Sequence, residues 1–127
     1  MTSELHVICQ ESCNNAPRKE ILRDFTIALA TNDLLQIKEW LHDQVTWSCI
    51  GHKQLSGKDV VSNEISLMHI DRPVELKIDH LITHGKTASV NGVVTFENNT
   101  QMAFCDVYEF AGAVKTAKIK EITSFRI

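Results

Sequence analysis

The segment Cys105-Asp106-Val107-Tyr108-Glu109-Phe110 sets one carboxylate and the chain's only tyrosine among apolar and aromatic residues. In a strand, alternate side chains share a face, so Phe104, Asp106, Tyr108 and Phe110 point together toward the core. Burial there disfavours the charged carboxyl, raises its pKa and leaves a proton to donate toward a ligand oxygen. The alternative is that Asp106 accepts hydrogen bonds from a neighbouring element and stabilises the core. Tyr108 is either a second donor to the ligand or an aromatic that fills space and finds one partner.

His80 interrupts an apolar row of Val74, Leu76, Ile78 and Ile82. An imidazole titrating near neutral pH could serve as general base toward a substrate held by Asp106, or it could be a satisfied histidine at the sheet rim. Cys49 would be a nucleophile only beside a cation or a helix N-terminus, and its neighbours Trp47 and Ile50 suggest an apolar wall instead. Trp40 falls at helical spacing, as core or dimer contact. His6, Cys9 and Cys13 are too few for a zinc site, so no metal is expected. Arg126 shares the parity of Ile122 and Ser124, which puts it either at a pocket mouth or against an acid on the outer sheet face. Phosphate-loop, serine-elbow and metalloprotease motifs are all missing from the sequence, and no cofactor is expected.

The elements that must position these groups follow from periodicity. Residues 1–14 are weakly patterned and predict a short helix or a mobile arm ahead of one domain over residues 15–127. Asn15 can cap a helix with Pro17 in its first turn and Ile21, Leu22, Phe25, Ala28 and Leu29 on one stripe. Asp33 can cap a second helix carrying Leu34, Ile37, Trp40 and Leu41. From Val45 the period becomes two, with Val45, Trp47 and Cys49 on one side, and Gly51 ends that strand. Ser56-Gly57-Lys58-Asp59 resembles a capping box and opens a third helix to about Ile70, facing inward with Val61, Ile65 and Met68. Asp71-Arg72-Pro73 stops it. Four alternating strands follow, with turns at His84-Gly85-Lys86, Asn98-Asn99 and near Gly112. Gly92 in mid-strand suits a bulge or bend. The expected order is ααβαββββ, a curved, mainly antiparallel sheet wrapped around three helices with a pocket inside the cone.

The bulk numbers fit this. At 127 residues the chain suits one domain. With 43% hydrophobic and 23% charged residues it has the composition of a globular protein. A net charge of −3 without a basic run argues against nucleic-acid or membrane-surface partners. The four scattered cysteines suggest reduced thiols and a cytoplasmic location.

Four features in this order carry a resemblance to a known family. They are Asn32-Asp33-Leu34 between the first helices, Val45-Thr46-Trp47 on the first strand, Ser56-Gly57-Lys58 opening the third helix, and Asp106 to Phe110 ahead of the last strand. Over residues 17–127 the chain resembles the SnoaL-like, nuclear transport factor 2-like (NTF2-like) superfamily of cone-shaped α+β barrels that includes ketosteroid isomerase. That enzyme uses a carboxylate base with an oxyanion hole of a tyrosine and a protonated aspartic acid. Matched segment to segment, the tyrosine's place falls on Phe25, the base's on Cys49 and the protonated aspartate's on Asp106. The resemblance implies the cone fold but not the steroid isomerase reaction, because two of these three groups differ.

Two functions follow as expectations. One is a pocket for a small, largely apolar, oxygen-bearing molecule, with cofactor-free proton transfer of the isomerase, hydratase or cyclase type. Asp106 would be its acid, with His80 and Tyr108 assisting and Phe25, Trp47, Cys49, Met68, Ile78, Val94, Phe104 and Ser124 around the ligand. The other is a non-catalytic ligand-binding or interaction module that pairs as a homodimer through the outer sheet face. Cavity volume separates them: a few hundred cubic ångströms favours the ligand, a filled cone the module.

Overall fold

The computed structural model describes residues 5–9, 16–67 and 71–127. Its elements run β1 (His6–Cys9), α1 (Pro17–Thr31), α2 (Leu34–Trp40), β2 (Leu41–Cys49), β3 (Lys53–Ser56), α3 (Lys58–Leu67), β4 (Pro73–His84), β5 (Thr87–Phe96), β6 (Gln101–Phe110) and β7 (Ile119–Arg126). All seven strands form one mixed sheet in the order β1-β4-β5-β6-β7-β2-β3. β4 to β7 are an antiparallel meander, whereas β1 joins β4 and β2 joins β7 in parallel.

Local chemistry accounts for the helix boundaries. Pro17 occupies the first turn of α1, where its missing N–H has no helical partner to lose. Asn15, the expected cap, lies outside the described residues, and Ala16 holds the cap position without a side-chain bond. Asn32 closes α1 in the left-handed conformation at φ 58°, and Asp33 caps α2 by accepting from the Gln36 N–H. The third helix begins at Lys58, where the sequence places it, and Asn99 takes the positive φ of the β5–β6 hairpin.

Two strands depart from the expected order. His6–Cys9 is an edge strand, not a helix or mobile arm, because β4 offers it a ladder that its own pattern does not announce. Lys53–Ser56 folds back antiparallel on β2 for the same reason. The core is one cluster between α1, α2, α3 and the concave sheet face, built on Leu22, Phe25, Ile37, Val45, Leu76, Ile78, Leu81, Tyr108 and Phe110. Cys49 and Cys105 are free thiols, and Cys13 lies outside the described residues. Among the described residues no helix is long and apolar enough to cross a membrane.

Candidate functional site

β6 delivers Asp106 to the concave face as its alternation requires, and the residue is 1% exposed. Its partners come from β7, the next strand. Asp106 lies directly opposite Ser124, two residues before Arg126. Arg126 Nη2 donates to the carboxyl at 3.2 Å from Oδ2 and 3.4 Å from Oδ1. Ser124 Oγ accepts the indole N–H of Trp47 at 2.8 Å and faces the carboxyl from the opposite strand. The Arg126 guanidinium sits 5.9 Å from the centre of the Trp47 ring. Burial raises the Asp106 pKa above its ordinary value, while Arg126 and Ser124 pull it back.

Asp106 and Arg126 border a cavity of about 40 Å³ near the cone mouth. Its other walls are mostly apolar: Thr26, Leu29 and Ala30 of α1, Leu76, Val94 and Phe96 of β4 and β5, and Met102 and Phe104 of β6. One water needs about 10–15 Å³ of such space and an engineered benzene site about 150 Å³. The cavity therefore admits a few atoms, such as a carbonyl or hydroxyl end, but no ring system. One layer deeper, Phe25 and Tyr108 meet edge to face at 5.8 Å. Among the described residues the buried Tyr108 hydroxyl has no hydrogen-bond partner in reach. Thr26 faces it, and the Thr26 hydroxyl donates its own proton to the Leu22 carbonyl at 2.7 Å. Burial and the Asp106 charge push the phenol well above its ordinary pKa, which keeps it protonated.

No protein-family model and no curated protein sequence matches this chain. Solved structures do. An NTF2-like protein of unknown function from Burkholderia xenovorans LB400 aligns with TM-score 0.74 at 14% identity, over 91% of this chain and 86% of that one. A protein described as a SnoaL-like polyketide cyclase, from Shewanella denitrificans OS-217, aligns with TM-score 0.71 at 10% identity, over 89% and 92%. An LEH-like epoxide hydrolase from M. tuberculosis gives 0.69 at 16% identity, over 87% and 83%. The fold is NTF2-like.

Within this NTF2-like cone the candidates separate. Asp106, Val94 and Phe104 border the cavity, whereas Phe25, Trp47, Ile78, Ser124 and Tyr108 are buried behind its walls. Met68 lies outside the described residues. His80 does not enter the cone. A bulge between Ile78 and His80 reverses the strand's parity, so His80 is exposed beside Asn91 at 3.1 Å while Leu81 is buried. The general base assigned to His80 is corrected accordingly. Cys49 is half-buried, and burial raises its thiol pKa despite the pull of Arg126, which opposes a nucleophilic role. Among the described residues no three His, Cys, Asp or Glu side chains converge as metal ligands.

The sequence pattern does not place two participants. It leaves Arg126 between the pocket mouth and the outer face. It marks Thr26 only by a position one turn after Leu22 and one before Ala30, on the inward side of α1.

Proposed function

We propose that this NTF2-like protein binds a small, largely apolar molecule through an oxygen seated on Arg126 and Asp106, and that Asp106 exchanges a proton with it. The observation that carries this reading is the Asp106–Arg126 pair, its carboxylate buried and its guanidinium partly exposed, open on one side to a cavity with mostly apolar walls. Withdrawing a carboxylate from water costs free energy that a single ion pair need not repay, and this one borders empty space. Arg126 supplies donors for a carbonyl, hydroxyl or carboxylate oxygen. Asp106, its pKa raised by burial, titrates closer to neutrality than a surface carboxylate. Asp106 can carry the proton of an isomerisation or cyclisation while Arg126 holds the oxygen, and a hydration would in addition consume a water. Structural neighbours described as an LEH-like epoxide hydrolase and a SnoaL-like polyketide cyclase support this reading at the level of the fold, without assigning it here.

The test is an NMR titration of labelled protein with short ketones, alcohols and carboxylates. The expected result is shifts confined to residues around the cavity, with affinity reduced about tenfold or more in Asp106→Asn, the loss of one strong hydrogen bond. No shifts with any probe, or equal affinity in the variant, would remove this reading.

The cavity volume favours a second reading. At about 40 Å³ the cone is mostly filled, as suits a non-catalytic module that pairs through its outer sheet face.

A further inference from the structure

The donors and acceptors left over around a cavity define the chemical group that fits it. Nε–H and Nη2–H are the parallel prongs of a guanidinium fork, and in Arg126 the two prongs differ. Nη2 meets both oxygens of Asp106, at 3.2 and 3.4 Å. Nε is buried and has no hydrogen-bond partner among the described residues. A buried N–H without an acceptor is costly and uncommon, and this one belongs to a residue of the cavity wall. Of the ten residues around that cavity, only Thr26, Asp106 and Arg126 carry nitrogen or oxygen in their side chains. The Thr26 hydroxyl has given its one proton to the Leu22 carbonyl at 2.7 Å, so toward any further group it only accepts. The guanidinium against Asp106 favours the ionised carboxyl, whose oxygens hold more lone pairs than Arg126 Nη2 fills. The wall therefore offers one free donor and two acceptors, with its charges already matched.

We propose that the group bound here is a neutral primary carboxamide, its carbonyl oxygen on Arg126 Nε–H, one N–H on the Asp106 carboxylate and the other on Thr26 Oγ. This rests on the ligand reading above and narrows it by naming the group that carries the seated oxygen. One acceptor oxygen and two N–H donors are what a primary carboxamide brings, the complement of the wall. A ketone answers the donor and turns carbon toward both acceptors. A hydroxyl brings one proton for two acceptors. A carboxylate brings none, and it sets a second negative charge near Asp106 in a mostly apolar space with a single guanidinium, which disfavours the ionised forms. Sites that hydrogen-bond a ligand N–H or O–H discriminate against analogues without it, because buried protein groups are then left unpaired.

The experiment titrates the full chain at neutral pH with acetamide, acetone, isopropanol and acetate, probes of nearly equal size, and follows the signals of the cavity residues by NMR. Ligands this small bind on the order of millimolar or weaker, within reach of such titrations. Acetamide is expected to bind about fivefold or more tightly than acetone, the worth of a hydrogen bond, with isopropanol between them and acetate weakest. Thr26→Val keeps the shape and removes the hydroxyl. It should weaken acetamide about threefold or more and leave acetone unchanged. Any of the other three probes binding as tightly as acetamide would overturn the proposal. So would a Thr26→Val protein that treats acetamide and acetone as the wild type does or weakens both alike, since Thr26 would then only shape the wall. If Thr26→Val does not fold, the wild-type order of the four probes decides alone. Should none of the four shift the cavity signals, the ligand reading falls and the carboxamide with it. Binding in a different order overturns the carboxamide only, so the two failures are told apart.

Discussion

Asp106 is 2% exposed at its side chain and Arg126 24%, so removing one is not equivalent to removing the other. Asp106→Asn leaves a guanidinium that water can partly reach. Its cost should be that of a lost charge-assisted hydrogen bond, about 1–3 kcal/mol, measured by urea unfolding at neutral pH. Arg126→Met strands a carboxylate that water cannot reach. About 3–5 kcal/mol should be lost at pH 7, and less in acid, where protonation removes the unpaired charge. Equal losses at both pH values would mean that the pair carries no charge interaction. The wild type has a slope of its own. The folded Asp106 pKa lies above the ordinary 3.8, so the folded state holds this proton over a window in which the unfolded chain has released it. This group's contribution to stability falls as pH rises through that window and is level above the folded midpoint. Asp106→Asn should remove that slope. Parity alone put Asp106 inside the cone. Its partner was hidden because Arg126 is 20 residues away and is brought opposite only by the β6–β7 register.

At the scale of elements, one backbone irregularity separates the correct part of the sequence reading from the incorrect part. Alternation places Leu76 and Ile78 inward, and both are fully buried. The ladder then jumps from Ile78 opposite Gly92 to His80 opposite Asn91, with Asp79 as the extra residue. Every later side chain on β4 changes face, so Leu81 is buried and Ile82 is 57% exposed. A bulge on a neighbouring strand was signalled only by Gly92. A Cβ at Gly92 would lie 1.9 Å from the Lys77 carbonyl oxygen, against backbone that cannot swing away. Gly92→Ala should therefore destabilise by about 3 kcal/mol or more. A loss below 1 kcal/mol in denaturant unfolding would mean that the bulge yields easily. Short strands such as β1 and β3 left no mark in the sequence, since four residues carry too little pattern and their pairing is tertiary. At the opposite end of the sheet from the Asn98–Asn99 hairpin, Arg18 of α1 donates to the carbonyls of Gly85, Gly112 and Val114 and lies 3.9 Å from the Phe110 ring centre. Lysine keeps the charge but not the fork. Arg18→Lys should lose about 1–2 kcal/mol and speed amide exchange near Ala111 and Ala117, whose N–H groups close that loop. Unchanged exchange there would dismiss Arg18 as a clamp.

For the whole molecule, the convex face of the sheet decides whether one copy is the working unit. The centre of that face carries Asn91, Val93, Cys105 and Val107, all half-exposed and none charged. Ile82 and Phe125 flank them at 57% and 44% exposure. The charges of this face sit beside that centre on β4, where Lys77, directly opposite Val93, pairs with Asp79, and at the far end of β6, where Lys86 pairs with Glu109. A lightly charged centre within a polar rim is the anatomy of a protein interface. A symmetric pair of copies lays the same patch against itself, so no second complementary surface is needed. The other faces of the sheet's central strands are taken up by the core, which leaves this one for a partner. Light scattering at micromolar concentration should therefore give a mass near twice the 14.3 kDa of the chain. Val107→Glu should return the mass to that of one copy and barely alter the unfolding of the separated monomer, because Val107 points away from Asp106 and Tyr108 on either side of it in β6. Val93→Glu on the neighbouring strand should do the same. A wild-type protein of single mass would remove the pairing. A dimer unaffected by either charge would place the contact on another face.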